Sequence, residues 1–416
     1  MSCANLALRV SGWLFILALV PISLKILIAC GGTGGHLFPG IAVGEALLAR
    51  GHEVMLLISE KKVDSEASAK YKHLTFKTVP AVAKPATLSP KMLPFLWKLW
   101  GSIGQCKAII REFQADAVLG MGGFTSLPPV YAGHKLGLKT FIHDSNARPG
   151  RANVMTSRFC TRVFLGLDAA KKFFPNRETV TTGTPVRPEI TNLPSRADAA
   201  ARFGLDPARP TIVVTGGSQG AGVLSQVVPD GLAMLPTALR SRLQVTQQCR
   251  PEDIEAVRSR YASHDIPAEL GTYFENMAER LADAHLFIGR AGASTVAELT
   301  AVGRPAILIP LAIAMDDHQT ANAEGMVTGA AADVVPEPKF TAEMLAPLLL
   351  ERISNAGVLK ARAKASWQLG KPNAARELAD LAEQAGHRER DRRQQPPLPG
   401  LGQHFLQQFL EGEHAR

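Results

Sequence analysis

The residues of this chain best suited to chemistry lie in a few short clusters, and the first is Gly31-Gly32-Thr33-Gly34-Gly35-His36. Four glycines in five residues let a backbone turn sharply and present bare N–H groups. A helix starting just beyond adds the partial positive charge of its N-terminus, so the stretch reads as a phosphate seat. His36 stands at its lip as a titratable group. Glycines serving only a tight turn are the plainer alternative, and four of them beside a histidine make it the weaker one. A second loop, Gly216-Gly217-Ser218-Gln219-Gly220-Ala221-Gly222, repeats the pattern in the other half. A third cluster, Arg290-Ala291-Gly292-Ala293-Ser294-Thr295, opens a helix that carries Glu298. Ser294 is placed to cap that helix. Glu298, one turn in, is placed to accept hydrogen bonds from a sugar diol, although a first-turn Glu also simply suits the helix dipole. His143-Asp144-Ser145-Asn146 supplies a carboxylate just past a strand, where Asp also commonly caps a helix. Arg187 offers a fixed guanidinium within reach of a phosphate.

These clusters need strands behind them. Residues 25–30, 54–59, 117–119, 140–143, 211–215, 285–289 and 306–310 are short apolar runs of the kind buried in parallel sheets. The helix after the first loop is expected from about Phe38 to Arg50. A strand, a glycine loop and a helix thus occur once per half. Residues 183–210 between the halves hold prolines at 185, 188, 194, 207 and 210, which marks a domain boundary. The expected fold is α/β: two doubly wound domains with a cleft between them, the chemistry lying at the carboxyl ends of the strands. The expected division is 25–187 and 188–370, with a closing helix near 371–386 returning to the first domain. An apolar extension occupies 1–24, and 387–416 reads as a mostly disordered tail.

With 416 residues the chain is long enough for two cores. Its five cysteines are scattered and odd in number, which argues for a reducing cytosol and against both a disulfide framework and a zinc site. The net charge of +9 is concentrated: residues 67–111 carry eight Lys/Arg and no Asp or Glu, leaving only +1 elsewhere. At the centre of that window Met92, Leu93, Phe95, Leu96, Trp97, Leu99, Trp100 and Ile103 alternate with Lys91, Lys98 and Lys107. Interfacial aromatics with snorkelling lysines suit a helix lying on an anionic bilayer, and residues 84–111 are the expected contact. A core-packing helix with solvated lysines is the alternative. No nucleic-acid-binding motif accompanies the charge, so nucleic acid is not an expected partner. The uncharged residues 10–24 are short of the roughly 20 that a membrane-spanning helix needs. They read as a mis-assigned start or an extra interfacial anchor, the former being favoured.

Taken together, GGTGGHLFPG at 31–40, GMGGF at 120–124, HDSN at 143–146, GTPVR at 183–187, GGSQGA at 216–221, RAGASTVAEL at 290–299 and DHQTANA at 317–323 resemble the MurG family. These are the undecaprenyl-diphospho-muramoylpentapeptide N-acetylglucosaminyltransferases of peptidoglycan synthesis. Each motif alone is weak, and seven in order are specific. The likeness covers roughly residues 25–384. It implies a GT-B fold and an inverting transfer of N-acetylglucosamine from UDP-N-acetylglucosamine to the muramoyl 4-hydroxyl of lipid I. It also implies a peripheral location at the cytoplasmic face of the bacterial plasma membrane. Residue by residue, it implies that Ser218 and Arg187 hold the donor diphosphate and that Phe274 lies by the uracil. Ala293, Ser294, Thr295, Val296, Ala297 and Glu298 would bind diphosphate and ribose, with Glu298 on the ribose hydroxyls. Gln319 would contact the sugar, and Thr33, Gly34, Gly35 and Asn146 match further donor contacts. His36 is the candidate base, with Asp144 as rival or as its orienting partner. No cofactor or metal is implied, and the chain contains no D-x-D triplet of the kind that holds magnesium in other transferases.

Besides the added N-terminal segment and tail, the chain departs from that family in two of its motifs. It has HDSN where the family usually has HEQN, so the carboxylate of Asp144 is one methylene shorter. Phe124 replaces a common Tyr. Two rivals remain in view: an NAD-dependent oxidoreductase, which lacks support because no G-x-G-x-x-G occurs at either turn, and a UDP-N-acetylglucosamine 2-epimerase, which would leave the basic aromatic window unexplained.

Overall fold

A computed structural model describes residues 7–10, 13–16, 23–80, 92–206, 208–217, 220–311 and 317–394. Near the N-terminus β1 (Ala7–Val10) and β2 (Trp13–Ile16) pair as an antiparallel ribbon. Leu24, which falls inside the expected 1–24 extension, is instead fully buried in the first core and donates its N–H to His52 Nδ1.

The first half is built on seven strands: β3 (Lys25–Ala29), β4 (Glu53–Ile58), β5 (Thr75–Thr78), β6 (Ala117–Gly120), β7 (Lys139–Asp144), β8 (Arg162–Leu165) and β9 (Thr179–Thr181). They are parallel throughout, in the order β5-β4-β3-β6-β7-β8-β9. Helices α1 (Gly34–Leu48), α2 (Lys62–Lys70), α3 (Met92–Phe113), α4 (Leu127–Lys135) and α5 (Arg151–Thr156) connect them. Because the sheet is covered on both faces, its central strands are apolar without alternation; Ala117–Gly120 is buried at every residue.

The second half repeats the plan with β10 (Thr211–Thr215), β11 (Gln244–Gln248), β12 (Ala268–Gly271), β13 (Leu286–Gly289), β14 (Ala306–Leu308) and β15 (Ala332–Val334), parallel in the order β12-β11-β10-β13-β14-β15. Its helices are α6 (Pro188–Thr191), α7 (Arg196–Arg202), α8 (Gly222–Ala233), α9 (Thr237–Arg240), α10 (Ile254–Ser263), α11 (Met277–Asp283), α12 (Ala293–Val302), α13 (His318–Thr328), α14 (Ala342–Ile353) and α15 (Ala356–Leu369). The last helix, α16 (Ala374–Gln394), crosses back: Leu378, Ala379 and Ala382 join the core of the first sheet beside Ile41 and Leu47 of α1.

In both sheets the chain starts in the middle and reverses direction between its first and fourth strands, β3/β6 and β10/β13. That reversal opens a crevice at the carboxyl ends, the usual ligand position of doubly wound sheets. The fold expected from the sequence is therefore present, two Rossmann-like domains facing one cleft. Two boundaries differ. Helix α1 begins at Gly34, four residues before the expected start, which makes His36 part of its first turn. Helix α16 runs to Gln394, so residues 387–394 are helical and not tail; residues 395–416 lie outside the described ones.

Candidate active site

The first glycine turn is built by close approach. A Cβ at Gly31 would lie 2.4 Å from Ser59 N, so only glycine lets this strand end pass β4. Gly32, at φ +109°, donates its N–H to Asp64 Oδ2 at 2.8 Å, and Lys61 Nζ donates to Gly32 O at 2.8 Å. Asp64 is fully buried and also accepts from Ser59 N at 2.7 Å. One of the loop's amides is therefore committed internally. The amides heading α1, at Gly34 and Gly35, lack intrahelical acceptors by construction.

His36 is half-buried in that first turn. Its Nδ1 shares a hydrogen bond with Thr33 Oγ1 at 3.1 Å. Its ring lies on the second glycine turn: a Cβ at Gly122 would sit 3.0 Å from His36 Nε2, and one at Gly123 would sit 3.1 Å from Cε1. Both glycines have positive φ, so conformation and space each require glycine there. Burial, then the nearby Lys61 ammonium, pushes the His36 pKa down to about 4, while Asp64 opposes the shift. The imidazole is accordingly neutral at physiological pH and free to take a proton.

Asp144, expected as rival base or as orienting partner of His36, is set at one remove from the imidazole. It ends β7, is buried, and accepts from Asn146 N (2.9 Å), Gly150 N (3.1 Å) and Asn153 Nδ2 (2.7 Å). Asn153 Oδ1 in turn accepts from Gly123 N at 2.9 Å, directly beneath the His36 ring. The carboxylate therefore organises the loop that supports His36, and among the described hydrogen bonds it does not reach the imidazole. Burial raises its pKa and the hydrogen bonds oppose that rise. Neighbouring His143 is fully buried and donates Nε2–H to Gly183 O at 3.0 Å.

Across the cleft, α12 presents three faces. Its N-cap is Gly292, not Ser294, and Ala293, Ser294 and Thr295 form the first turn. Ser294 faces the first domain, where a Cβ at Gly35 would be 3.7 Å from Ser294 Oγ. Ala293, Val296 and Ala297 line an interdomain cavity of about 120 Å³, together with Thr184, Asn322 and Lys371. Glu298 forms a bidentate ion pair with Arg187, Nε–Oε1 3.0 Å and Nη2–Oε2 3.1 Å, both side chains being largely buried. The Arg187 guanidinium also lies 5.6 Å from the Phe38 ring centroid of α1. The two residues assigned separately to diphosphate and ribose are thus held together, and Nη1 of Arg187 is left outside the pair.

Of the remaining candidates, Phe274 lies on Arg280, 4.3 Å from guanidinium carbon to ring centroid, and Arg280 pairs bidentately with Glu269. Gln319 Oε1 accepts from Leu311 N at 3.0 Å. Ser218 lies outside the described residues. Asn146 is tied across the cleft, since Asn322 Nδ2 donates to its Oδ1 at 3.2 Å and Asn322 Oδ1 accepts from Ala147 N at 2.9 Å. Sequence reasoning missed Lys61, Asp64, Asn153 and the bridging role of Asn322. Only Asn322, inside the DHQTANA motif, carried a signal; the others come from segments with no distinctive pattern.

The site can thus offer a neutral imidazole at a glycine seat, opposite a helix N-terminus and an Arg–Glu pair. Comparisons with known proteins bear on the family of the chain. Residues 26–165 match the glycosyltransferase family 28 N-terminal domain and residues 211–384 its C-terminal domain. A UDP-N-acetylglucosamine–N-acetylmuramyl-(pentapeptide) pyrophosphoryl-undecaprenol N-acetylglucosamine transferase from Novosphingobium aromaticivorans is 44% identical over 371 residues, 88% of this chain and 93% of that protein. Its namesake from Erythrobacter litoralis is 44% identical over 366 residues, 86% and 89% of the two chains. The crystal structure of Acinetobacter baumannii MurG superposes with TM-score 0.70 at 28% identity, covering 87% of this chain and 99% of that one. A putative UDP-N-acetylglucosamine 2-epimerase from Listeria monocytogenes superposes at TM-score 0.63 with 14% identity, a likeness of fold alone.

Proposed function

The chain belongs to the MurG family of glycosyltransferases, and from that premise we propose a reading of its cleft. It transfers N-acetylglucosamine from UDP-N-acetylglucosamine to the muramoyl 4-hydroxyl of lipid I. The oxidoreductase and epimerase alternatives are not favoured. The observation that carries the site reading is His36: a histidine of lowered pKa, seated on Gly122-Gly123, next to Gly35, where a Cβ would lie 3.7 Å from Ser294 Oγ of the α12 first turn.

In this reading the donor lies on the second domain, and its leaving diphosphate is stabilised by the glycine turn of that domain, by the first turn of α12 and by Nη1 of Arg187. Glu298, oriented by Arg187, accepts from the ribose hydroxyls. His36 takes the proton of the attacking 4-hydroxyl as the anomeric carbon inverts and UDP departs from the opposite face. Asp144 acts through Asn153 and Gly123 to hold the imidazole seat.

The lipid end of the acceptor would enter past α3. Leu93 and Trp97 are 77% and 83% exposed there, with Leu96 and Trp100 beside them, and Lys98 is exposed on the same helix. Such a patch on a protein whose acceptor is a lipid supports peripheral attachment to an anionic membrane. Among the described residues no helix is long and apolar enough to cross one. Lys84 and Lys91 lie outside those residues.

The direct test is transfer of labelled N-acetylglucosamine from its UDP donor to a short-chain lipid I analogue in the presence of EDTA. A β1→4-linked disaccharide product is expected. Release of UDP without disaccharide, or formation of N-acetylmannosamine, would overturn the assignment. For the membrane face, Trp97→Ala with Leu93→Ala should abolish cosedimentation with anionic vesicles and spare transfer to a detergent-soluble acceptor.

A further inference from the structure

Strand β11 reads Gln-Val-Thr-Gln-Gln, and all five residues are buried. A central parallel strand is ordinarily apolar on both faces, and each buried amide must find partners. Two of the three glutamines serve the core. Gln244 binds Asp206 N and O, and Gln247 accepts from the Tyr261 hydroxyl. Gln248 is different, because it ends the strand at the cleft and its partners belong to two separate parts of the site. Its Oε1 accepts from Thr215 Oγ1 at 2.5 Å, and its Nε2 donates to Thr272 O at 3.2 Å. Thr215 Oγ1 itself accepts from Gly217 N at 3.1 Å.

The polarity of this relay is fixed at both ends. A backbone N–H can only donate, so the Thr215 hydroxyl must send its own proton on to Gln248. A backbone carbonyl can only accept, so the amide nitrogen of Gln248 must face Thr272. One side chain thus spans the second glycine turn and the segment that carries Phe274, whose ring packs 3.0 Å from a Cβ placed at Gly271.

We infer that Gln248 is a positioning residue for the donor, fixing the distance between the diphosphate turn and the uracil platform. This rests on the reading of the second half as the UDP-N-acetylglucosamine site. The relay predicts a division of labour between its arms. Removing the Thr215 arm should disturb the diphosphate alone, whereas removing Gln248 should disturb both ends.

Competitive inhibition by UDP and by uridine separates these effects. Gln248→Met should weaken both about tenfold, raise the donor KM in step and leave kcat within about threefold. Thr215→Val should weaken UDP about tenfold and leave uridine unchanged, and Thr215→Ser should restore UDP. A merely structural role would lower the melting temperature without sorting the two inhibitors. Equal inhibition of wild type and Gln248→Met by both compounds, or equal weakening of both by Thr215→Val, overturns the proposal. Should Gln248→Met fail to fold, the Thr215 pair decides alone by the same criterion. Failure of UDP to inhibit the wild-type enzyme would instead sink the donor-site reading on which the proposal rests.

Discussion

The two glycine turns are nearly the same backbone device held by opposite chemistry. Gly31 and Gly216 each pass a neighbouring backbone so closely that a Cβ would lie 2.4 Å from Ser59 N or Ala221 N. Each is followed by a glycine at positive φ whose N–H is committed to a side chain. In the first half that acceptor is the buried carboxylate of Asp64, with Lys61 closing on the carbonyl of the same glycine. In the second half it is the neutral hydroxyl of Thr215, backed by Gln248. A buried carboxylate beneath a turn offsets the positive end of the helix behind it, whereas a neutral relay leaves that field for an anion. The difference fits the proposed division, in which the second turn grips a diphosphate and the first tunes a base.

The largest expected effect sharpens this comparison at His36. His36→Ala should lower kcat by about 10²–10⁴-fold, the usual contribution of a general base. UDP inhibition should stay within twofold of wild type, because the donor is held by the other half. A variant that lost UDP affinity in parallel with kcat would break the comparison.

The next effect tests what the two turns share. Gly31→Ala and Gly216→Ala should each destabilise the protein by about 1–3 kcal/mol, as overpacking does. Denaturant unfolding measures this, and similar losses are expected in both halves. A tolerated methyl at either position would show that the close approach is not required there.

Much of this architecture was legible in the sequence because it is local. Fully buried strands announce themselves as apolar runs, and glycine pairs announce the turns that follow them. The errors came where a local rule was relaxed. The helical pattern places the start of α1 near Phe38; the helix instead starts at Gly34, where N-terminal amides need no intrahelical acceptor, and accommodates Pro39 inside. Residues 387–394 are charged with no apolar period, yet they continue α16, which is anchored by its earlier turns. The site's supporting contacts were illegible because nothing in sequence joins them. Arg187 and Glu298 are 111 residues apart, and Gly32 and Asp64 are 32 apart. Asp144, read as base or orienting partner, looks from sequence like any carboxylate past a strand; only the loop's return to Asn153 reveals its task.

The smallest effect is the most specific. His36 has its pKa pushed down to about 4 by burial and by Lys61, against the opposing pull of Asp64. A base works when unprotonated, so kcat/KM should be level at neutral pH and fall as pH drops through that value. Lys61→Met removes a cation, which makes protonation easier and should move this acid limb up by about half a unit. Asp64→Asn removes an anion and should move the limb down by about as much, with some loss of stability from the weakened Gly32 and Ser59 bonds. Thr215→Val, at the equivalent point of the second turn, should leave the limb where it is while raising the donor KM. Opposite displacements from Lys61 and Asp64, with none from Thr215, would tie the titrating group to the first turn. A limb that ignored all three substitutions would mean that some group other than His36 titrates there, and the contrast between a tuning turn and a gripping turn would fail.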